Sequence, residues 1–314
     1  MLHVGVDIGG TNTKIGLIDQ QGCILARDKM KTEPDRGSEV ILKSIVERIH
    51  ALLVTFSQHP RNVATIGVGV PGTADDKAGV VIYAPNLFWE HVAVGAPLRQ
   101  AFSVPLFLTQ DTRAAAWAEY LAGAGKGLRS VASVTLGTGI GCGLVMDGRI
   151  FHGALNTAGE FGHQIVEPGG YRCNCGRQGC LEAYAGGLAI VREAHKRIPN
   201  IGDLLGKDAS QVSVRDVYML AMRGNEQALE VARRVVRYVG MGLVNLINLS
   251  GVELICISGG ISNAPSALLM DPLVAFVRAN AYVSIAGRVR ISLSVLGEDA
   301  PLIGAALLYR EERT

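Results

Sequence analysis

Asp7-Ile-Gly-Gly-Thr-Asn-Thr-Lys14 and Leu136-Gly-Thr-Gly-Ile-Gly141 are the stretches that decide the fold. Each joins two short apolar runs. Residues 2–6 read as a strand running into Asp7, residues 15–19 as its return, and Gln20-Gln-Gly22 as the next hairpin turn. Residues 130–136 and 143–146 repeat that arrangement around the second turn, up to Asp147-Gly148. Alternating strands and helices follow both times. After the first turn come a helix over 38–56 with Ser38 as its N-cap, strands over 63–70, 80–83 and 104–109, and a helix over 112–121 stopped by Gly123 and Gly125. After the second come helices over 188–198, 214–223 and 225–249, a strand over 252–257, a helix within 265–279 and a strand over 289–295. A closing helix over 301–310 has Pro301 in its first turn. The same order of signals twice in one chain predicts two related α/β domains, each built on a mixed sheet.

Both turns have the chemistry of an anion site. Gly9 and Gly10 let the backbone approach a phosphate and take positive φ, and Thr11 and Thr13 add hydroxyl donors. Asp7 is placed to reach a Mg²⁺, directly or through water. Asn12 and Lys14 complete the candidate nucleotide set on this turn, and Gly137, Thr138 and Gly139 are its counterpart on the second. Gly259 and Gly260, after the strand over 252–257, would let an adenine or ribose lie against the backbone. No Walker pattern is present. One glycine hairpin is explained as well by a tight structural turn; two, placed alike in similar domains, fit a nucleotide held in a cleft between them. Asp111 stands at a strand end and opens the helix over 112–121, where the helix N-terminus favours its ionised form. It reads equally as a helix cap and as a base for phosphoryl transfer.

A second block carries different chemistry. In Glu160-Phe-Gly-His163 and Cys173-Asn-Cys175-Gly-Arg-Gln-Gly-Cys180-Leu-Glu182, three of the six cysteines fall within eight residues, with a histidine ten residues upstream. Three thiolates and one imidazole make a closed tetrahedral zinc site. Gly176 and Gly179 let the backbone fold tightly between the thiols. Free thiols or a disulfide are the competing readings. The chain opens on Met1 and a strand, with no charged-then-apolar leader, so a reducing, cytoplasmic setting is expected and disulfides are disfavoured. Cys23, Cys142 and Cys256 read as small core residues. Glu160 and Glu182 flank the ligands without belonging to them, which points to a metal knot that shapes a polar pocket.

Composition excludes several classes. The 314 residues allow two domains, and 48% hydrophobic against 18% charged residues suits a well-buried globular chain. Thirty Lys and Arg against 28 Asp and Glu give a net charge of +2, so no electrostatic footprint for nucleic acid is visible. Apolar runs are strand-sized and broken by glycine, so no membrane span is expected.

Together these residues resemble the ROK family (repressor, open reading frame, kinase) of the sugar kinase/actin/Hsp70 superfamily. The resemblance covers essentially the whole chain. Its carriers are Asp7-Ile-Gly-Gly-Thr11, Gly69-Val-Pro-Gly72, Ala84-Pro-Asn-Leu87, Asp111 with Ala114-Ala-Ala116, Leu136-Gly-Thr-Gly139, Gly159-Glu-Phe-Gly-His163, the cysteine block through Glu182, and Ser258-Gly-Gly260. It implies two actin-like (ribonuclease H-like) domains with mixed sheets and a zinc knot. An N-terminal domain of 1–112 plus 301–314 would carry the first phosphate turn and the base. A C-terminal domain of 113–300 would carry the zinc site, the sugar-binding residues and the nucleotide turns.

The activity implied is transfer of the ATP γ-phosphate, with Mg²⁺, to the 6-hydroxyl of a hexose, glucose first. The alternatives are another hexose or an N-acylhexosamine: N-acetylmannosamine, N-acetylglucosamine, allose or fructose. Asp111 then resembles the catalytic base. Glu160, His163 and Glu182 resemble the hexose set, with Gly72 and Asn86 on loops that touch the sugar. His163, Cys173, Cys175 and Cys180 match the zinc ligands. His163 would serve both, one ring nitrogen on zinc and the other on a hydroxyl.

Two departures stand out. Where the family has Asn-Asp-Ala-Asn, this chain reads Gln110-Asp111-Thr112-Arg113. Gln110 is one methylene longer in the sugar-contacting place, and Arg113 brings a cation near the base. Family repressors carry an N-terminal winged helix-turn-helix domain, and a phosphate turn at Asp7 leaves no room for one. A non-catalytic sugar sensor would be expected to lose the base, yet Asp111 is present. Expected partners are the hexose and ATP, with a homodimer or homotetramer and neither nucleic acid nor membrane.

Overall fold

Strand β1 (Leu2–Ile8) is buried except at Asp7, and β2 (Asn12–Ile18) returns antiparallel to it with Val6 opposite Ile15 and Asp7 opposite Lys14. Strand β3 (Ile24–Lys31) extends the meander. Helix α1 (Ser38–Thr55) lays Ile41, Leu42, Ile45, Ile49, Leu52 and Leu53 into the core, the helical spacing expected. Gly37, not Ser38, occupies its N-cap, and no side chain caps it. Strand β4 (Val63–Val70) then pairs parallel with β1. A small antiparallel sheet of β5 (Thr73–Asp75), β6 (Val80–Ala84) and β7 (Trp89–Ala93) is inserted next, followed by α2 (Gly95–Phe102). Strand β8 (Leu106–Gln110) pairs parallel with β4 and feeds α3 (Asp111–Leu121).

The second cycle has β9 (Val131–Leu136), β10 (Ile140–Met146) and the short β11 (Arg149–Ile150). Helices α4 (Glu182–Ala185), α5 (Gly187–Arg197), α6 (Ile201–Leu205), α7 (Val214–Met222) and α8 (Glu226–Ser250) follow. Strand β12 (Leu254–Ser258), α9 (Met270–Asn280), α10 (Val283–Ala286), β13 (Arg290–Leu293) and α11 (Ala300–Ala306) complete the chain. The computed structural model describes residues 1–313, with side chains through residue 311.

The larger sheets run β3-β2-β1-β4-β8 and β11-β10-β9-β12-β13. In each, three strands consecutive in the chain form one side and two later strands the other. The last pair is parallel in both. The repetition expected from the two glycine turns is therefore a repetition of sheet order. Among the described residues no helix is long and apolar enough to cross a membrane.

Two compact units emerge. One comprises Met1–Ser133, Gly143–Gly159 and the chain from Ser294 onward; the other comprises Val134–Cys142 and Glu160–Leu293. The expected division put 113–300 in one domain, whereas 113–133, 143–159 and 294–300 fall with the first unit. The reason is packing of α11. Trp117 in α3 donates its indole N–H to Leu307 O at 3.0 Å, and a Cβ on Gly304 would lie 1.7 Å from Ala114 O. The same helix presses on β4, where a Cβ on Gly67 would stand 1.7 Å from Ala305 O. No residue but glycine admits a backbone that close. In the second unit, α8 packs against α5, α7 and α9. Cys142 and Cys256 are core residues as expected, whereas Cys23 is exposed in the turn after β2.

Candidate functional site

In the first unit, the β1–β2 turn departs from the expected anion loop in two respects. Neither Gly9 nor Gly10 takes positive φ. Their need is for room: a Cβ on Gly9 would sit 2.9 Å from Asn12 O, and one on Gly10 3.3 Å from Asn86 O. Thr13 is not an anion donor, since its side chain is fully buried and lies 3.0 Å from the Thr32 hydroxyl. Thr32 in turn donates to Gly9 O at 2.7 Å, so the Thr13 proton goes to Thr32. Lys14 donates to Glu298 O. Thr11 is exposed and Asn12 half-buried on the same turn. The contact of Gly10 with Asn86 joins two residues that the sequence assigned to nucleotide and sugar respectively.

Burial pushes the Asp7 carboxyl up to about 6, opposed by Lys14 and reinforced by Asp299. Asp299, which the sequence reading missed, lies where 297–299 leads into α11. A carboxylate desolvated in this way is one that a divalent cation would ionise, so Asp7 fits a Mg²⁺ role. The raised value also makes a prediction. Stability from this group is full below pH 4 and is lost as pH rises through about 6. Asp7→Asn is therefore expected to be more stable than wild type at pH 7.5, by about 3 kcal/mol for two pKa units. The gap should close at pH 4. Melting curves of both proteins across this range are the check, and a gap independent of pH would refute the assignment.

Asp111 is the first residue of α3, and Gln110, not Asp111, is its N-cap. The Thr112 N–H donates to Asp111 Oδ1 at 2.7 Å. The amide oxygen of Gln110 is buried without a hydrogen-bond partner. An acceptor in that state costs stability until a donor such as a sugar hydroxyl meets it. Gly72 lies in the turn from β4 to β5. Arg113 sends its guanidinium to Asn156 and Ala158.

In the second unit, His163, Cys173, Cys175 and Cys180 bring their ligand atoms within 4.8 Å of one another. Cys175 Sγ is 3.6 Å from Cys180 Sγ, and Cys173 Sγ is 3.8 Å from His163 Nδ1. A disulfide needs about 2.05 Å. The edges of a zinc tetrahedron with bonds of about 2.3 Å to sulfur and 2.0–2.1 Å to nitrogen are about 3.5–3.8 Å. The thiols are therefore free, and the cluster fits zinc. Gly176 and Gly179 turn the chain at φ 87° and 80°. Burial first, then the Cys175 thiol, pushes Cys180 up to about 12. A bound zinc reverses that by taking thiolates outright.

The sugar candidates surround this cluster. His163 Nε2, on the ring edge away from Cys173, stands 3.8 Å from Glu160 Oε2, too far for a direct hydrogen bond. Glu160 is exposed. Glu182 Oε1 is 3.9 Å from Cys173 Sγ, while its Oε2 accepts the Ile140 N–H at 2.9 Å. Glu182 thus grips the second glycine turn. A Cβ on Gly139 would come 2.8 Å from the same oxygen, which is why that position is glycine. Gly187 N–H donates to Gly137 O at 2.9 Å, fixing the turn from its other side. Gly259 borders it too, for its Cβ would be 2.3 Å from Leu136 O. Gly260 follows in the short helix Gly260–Asn263. Gly137, Gly139 and Gly259 therefore border one turn.

The comparisons fit this geometry. The model of the ROK family matches residues 3–312. A glucokinase of Halalkalibacterium halodurans is 32% identical over 315 residues, 99% of this chain and 95% of that protein. The crystal structure of a ROK family glucokinase from Streptomyces griseus in complex with glucose and AMPPNP superposes with a TM-score of 0.83 at 34% identity, covering 99% of this chain and 100% of that one. The xylose repressor of Bacillus subtilis is 25% identical over 301 residues, 96% of this chain but 75% of the repressor.

Proposed function

The chain belongs to the ROK family, and from that premise we propose that it is an ATP-dependent hexose kinase acting on the 6-hydroxyl of glucose. The observation that carries this reading is Glu182, one of whose oxygens holds the Ile140 N–H of the glycine turn while the residue stands beside the His163–Cys173 pair. One carboxylate serves a nucleotide loop and a sugar pocket. The relatives point the same way: the glucokinases of Halalkalibacterium halodurans and Streptomyces griseus are matched over nearly their full length, whereas the xylose repressor extends beyond the region matched.

In this reading Asp111 takes the proton of the 6-hydroxyl as the phosphoryl group transfers. The transition state is loose, so the base acts late and mainly orients the nucleophile. Glu160, His163 and Glu182 accept or donate to the remaining hydroxyls, and Gln110 supplies its unpaired oxygen. Gly72 and Asn86 line the sugar. Gly9, Gly10, Thr11, Asn12 and Lys14 face the phosphates, and Asp7 would hold Mg²⁺, which neutralises phosphate charge when bound. The zinc cluster shapes the sugar pocket and takes no part in the chemistry. Reduced thiols and the need for ATP favour a cytoplasmic setting, and a homodimer or homotetramer is the assembly proposed.

A coupled assay with ATP–Mg²⁺ against glucose, mannose, fructose, allose, N-acetylglucosamine and N-acetylmannosamine tests the reading. Turnover greatest on glucose is expected, and no turnover on any sugar would end it. The two glutamates should separate. Glu160→Gln should raise the hexose KM alone, because charge-assisted hydrogen bonds are worth about 1.5–3 kcal/mol, or about tenfold to a hundredfold. Glu182→Gln should raise the ATP KM as well, since it weakens the bond to Ile140. Identical kinetic profiles for the two variants would contradict the geometry.

A further inference from the structure

Arg113 is a charge where charges are rare: in the first turn of the base helix and only 2% exposed. A guanidinium does not lose its proton, so its burial must be compensated. Its Nη1 donates to Asn156 Oδ1 at 2.7 Å, and its Nη2 to Asn156 O at 2.8 Å and Ala158 O at 3.2 Å. Asn156 is equally committed. It holds φ at 55°, the left-handed region, and its Nδ2 donates to Ala74 O at 2.6 Å and to Asp76 Oδ1 at 3.3 Å. His152, in the same loop, bridges Asp76 at 3.1 Å and Glu311 at 2.9 Å. Hydrogen bonds to those two carboxylates raise its pKa to about 9. His152 therefore ties to two carboxylates the loop that Arg113 holds through Asn156 and Ala158.

None of these groups belongs to the set that meets substrate. Yet the loop they hold continues as Ala158-Gly159-Glu160, and the helix that supplies Arg113 opens on Asp111. We infer that Arg113 is a positioning residue for hexose binding, holding by a forked set of hydrogen bonds the segment 156–158 that leads directly into Glu160. The inference rests on the hexose-kinase reading. The fork matters more than the charge: three acceptors at fixed angles suit a planar guanidinium, and an ammonium cannot reproduce them. A glycine at 156 would keep the left-handed backbone and both carbonyl acceptors while removing the amide.

The test is Asn156→Gly, Arg113→Lys and the double variant, each read by hexose KM, ATP KM, calorimetric glucose affinity and melting temperature. Both single variants should raise hexose KM and weaken glucose affinity about tenfold, leave the ATP KM within about twofold, and combine to less than the sum of the single losses because the Arg113–Asn156 amide bond is lost in both. Hexose affinity unchanged in a folded variant, equal rises in both KM values, or full additivity would overturn the inference. Should Arg113→Lys fail to fold, Asn156→Gly alone decides. Wild-type protein that binds glucose without turning it over would refute the kinase reading, while the affinity ratios would still decide this one.

Discussion

Asp111→Asn is expected to lower kcat by about 10²–10⁴-fold, the usual contribution of a general base, with glucose affinity changed less than about threefold. The asparagine keeps an oxygen for the Thr112 N–H, which now meets Asp111 Oδ1 at 2.7 Å, so the start of α3 should stay in place. In the proposed mechanism the proton of the 6-hydroxyl would lose its acceptor only as the bond to phosphorus forms. Such a residue lowers kcat and kcat/KM together and leaves binding alone. Calorimetry with glucose beside a coupled assay separates the two effects. A variant that turns over at near the wild-type rate would remove Asp111 from the mechanism.

The second large effect is expected at the thiols. Protein purified without chelator should contain one zinc per chain, and Cys175→Ser should lose it. Cys175 is the exposed thiol of the set, so its substitution opens no cavity in the core. What it removes is a bond that closes the segment from His163 to Glu182. Loss of a structural metal belongs to the short list of changes that cost more than about 4 kcal/mol. Glucose binding should fail with it, because Glu160, His163 and Glu182 are attached to the same knot. Elemental analysis and melting curves with and without chelator are the measurements. Zinc-free protein with a wild-type melting temperature would refute the site.

The parts of this molecule that were legible in the sequence are those whose signals are local. The glycine hairpins between apolar runs gave both sheet beginnings, and the ligand spacing gave the metal cluster. Helix α8 was visible through its regular apolar stripe. Strand β3 was not, because Arg27, Asp28 and Lys29 interrupt it with charge and only its preceding turn has a local signature. Helix α2 was also missed, a short helix with Pro97 in its first turns. The misread roles of Gly9, Gly10 and Thr13 share one cause. Gly9, Gly10 and Thr13 depend on where Asn12, Asn86 and Thr32 put a carbonyl or hydroxyl, and Thr32 is nineteen residues from Thr13. The grip of Glu182 on Ile140 and of Arg113 on Asn156 span forty-two and forty-three residues, and no spacing rule reports such pairs.

Helix α11 also governs the order in which the molecule can be made. It lies on β1 and β4 so closely that glycines are required beneath it, yet it is made long after both strands. Until residues 300–306 emerge, the first sheet lacks the helix that covers Gly5, Gly67 and the inner face of α3. At about 5–20 residues per second, the wait lasts on the order of tens of seconds. Throughout it an apolar sheet surface built at the start of synthesis stays uncovered. A stop codon a few residues before Ala300 would release a chain whose first domain lacks this helix.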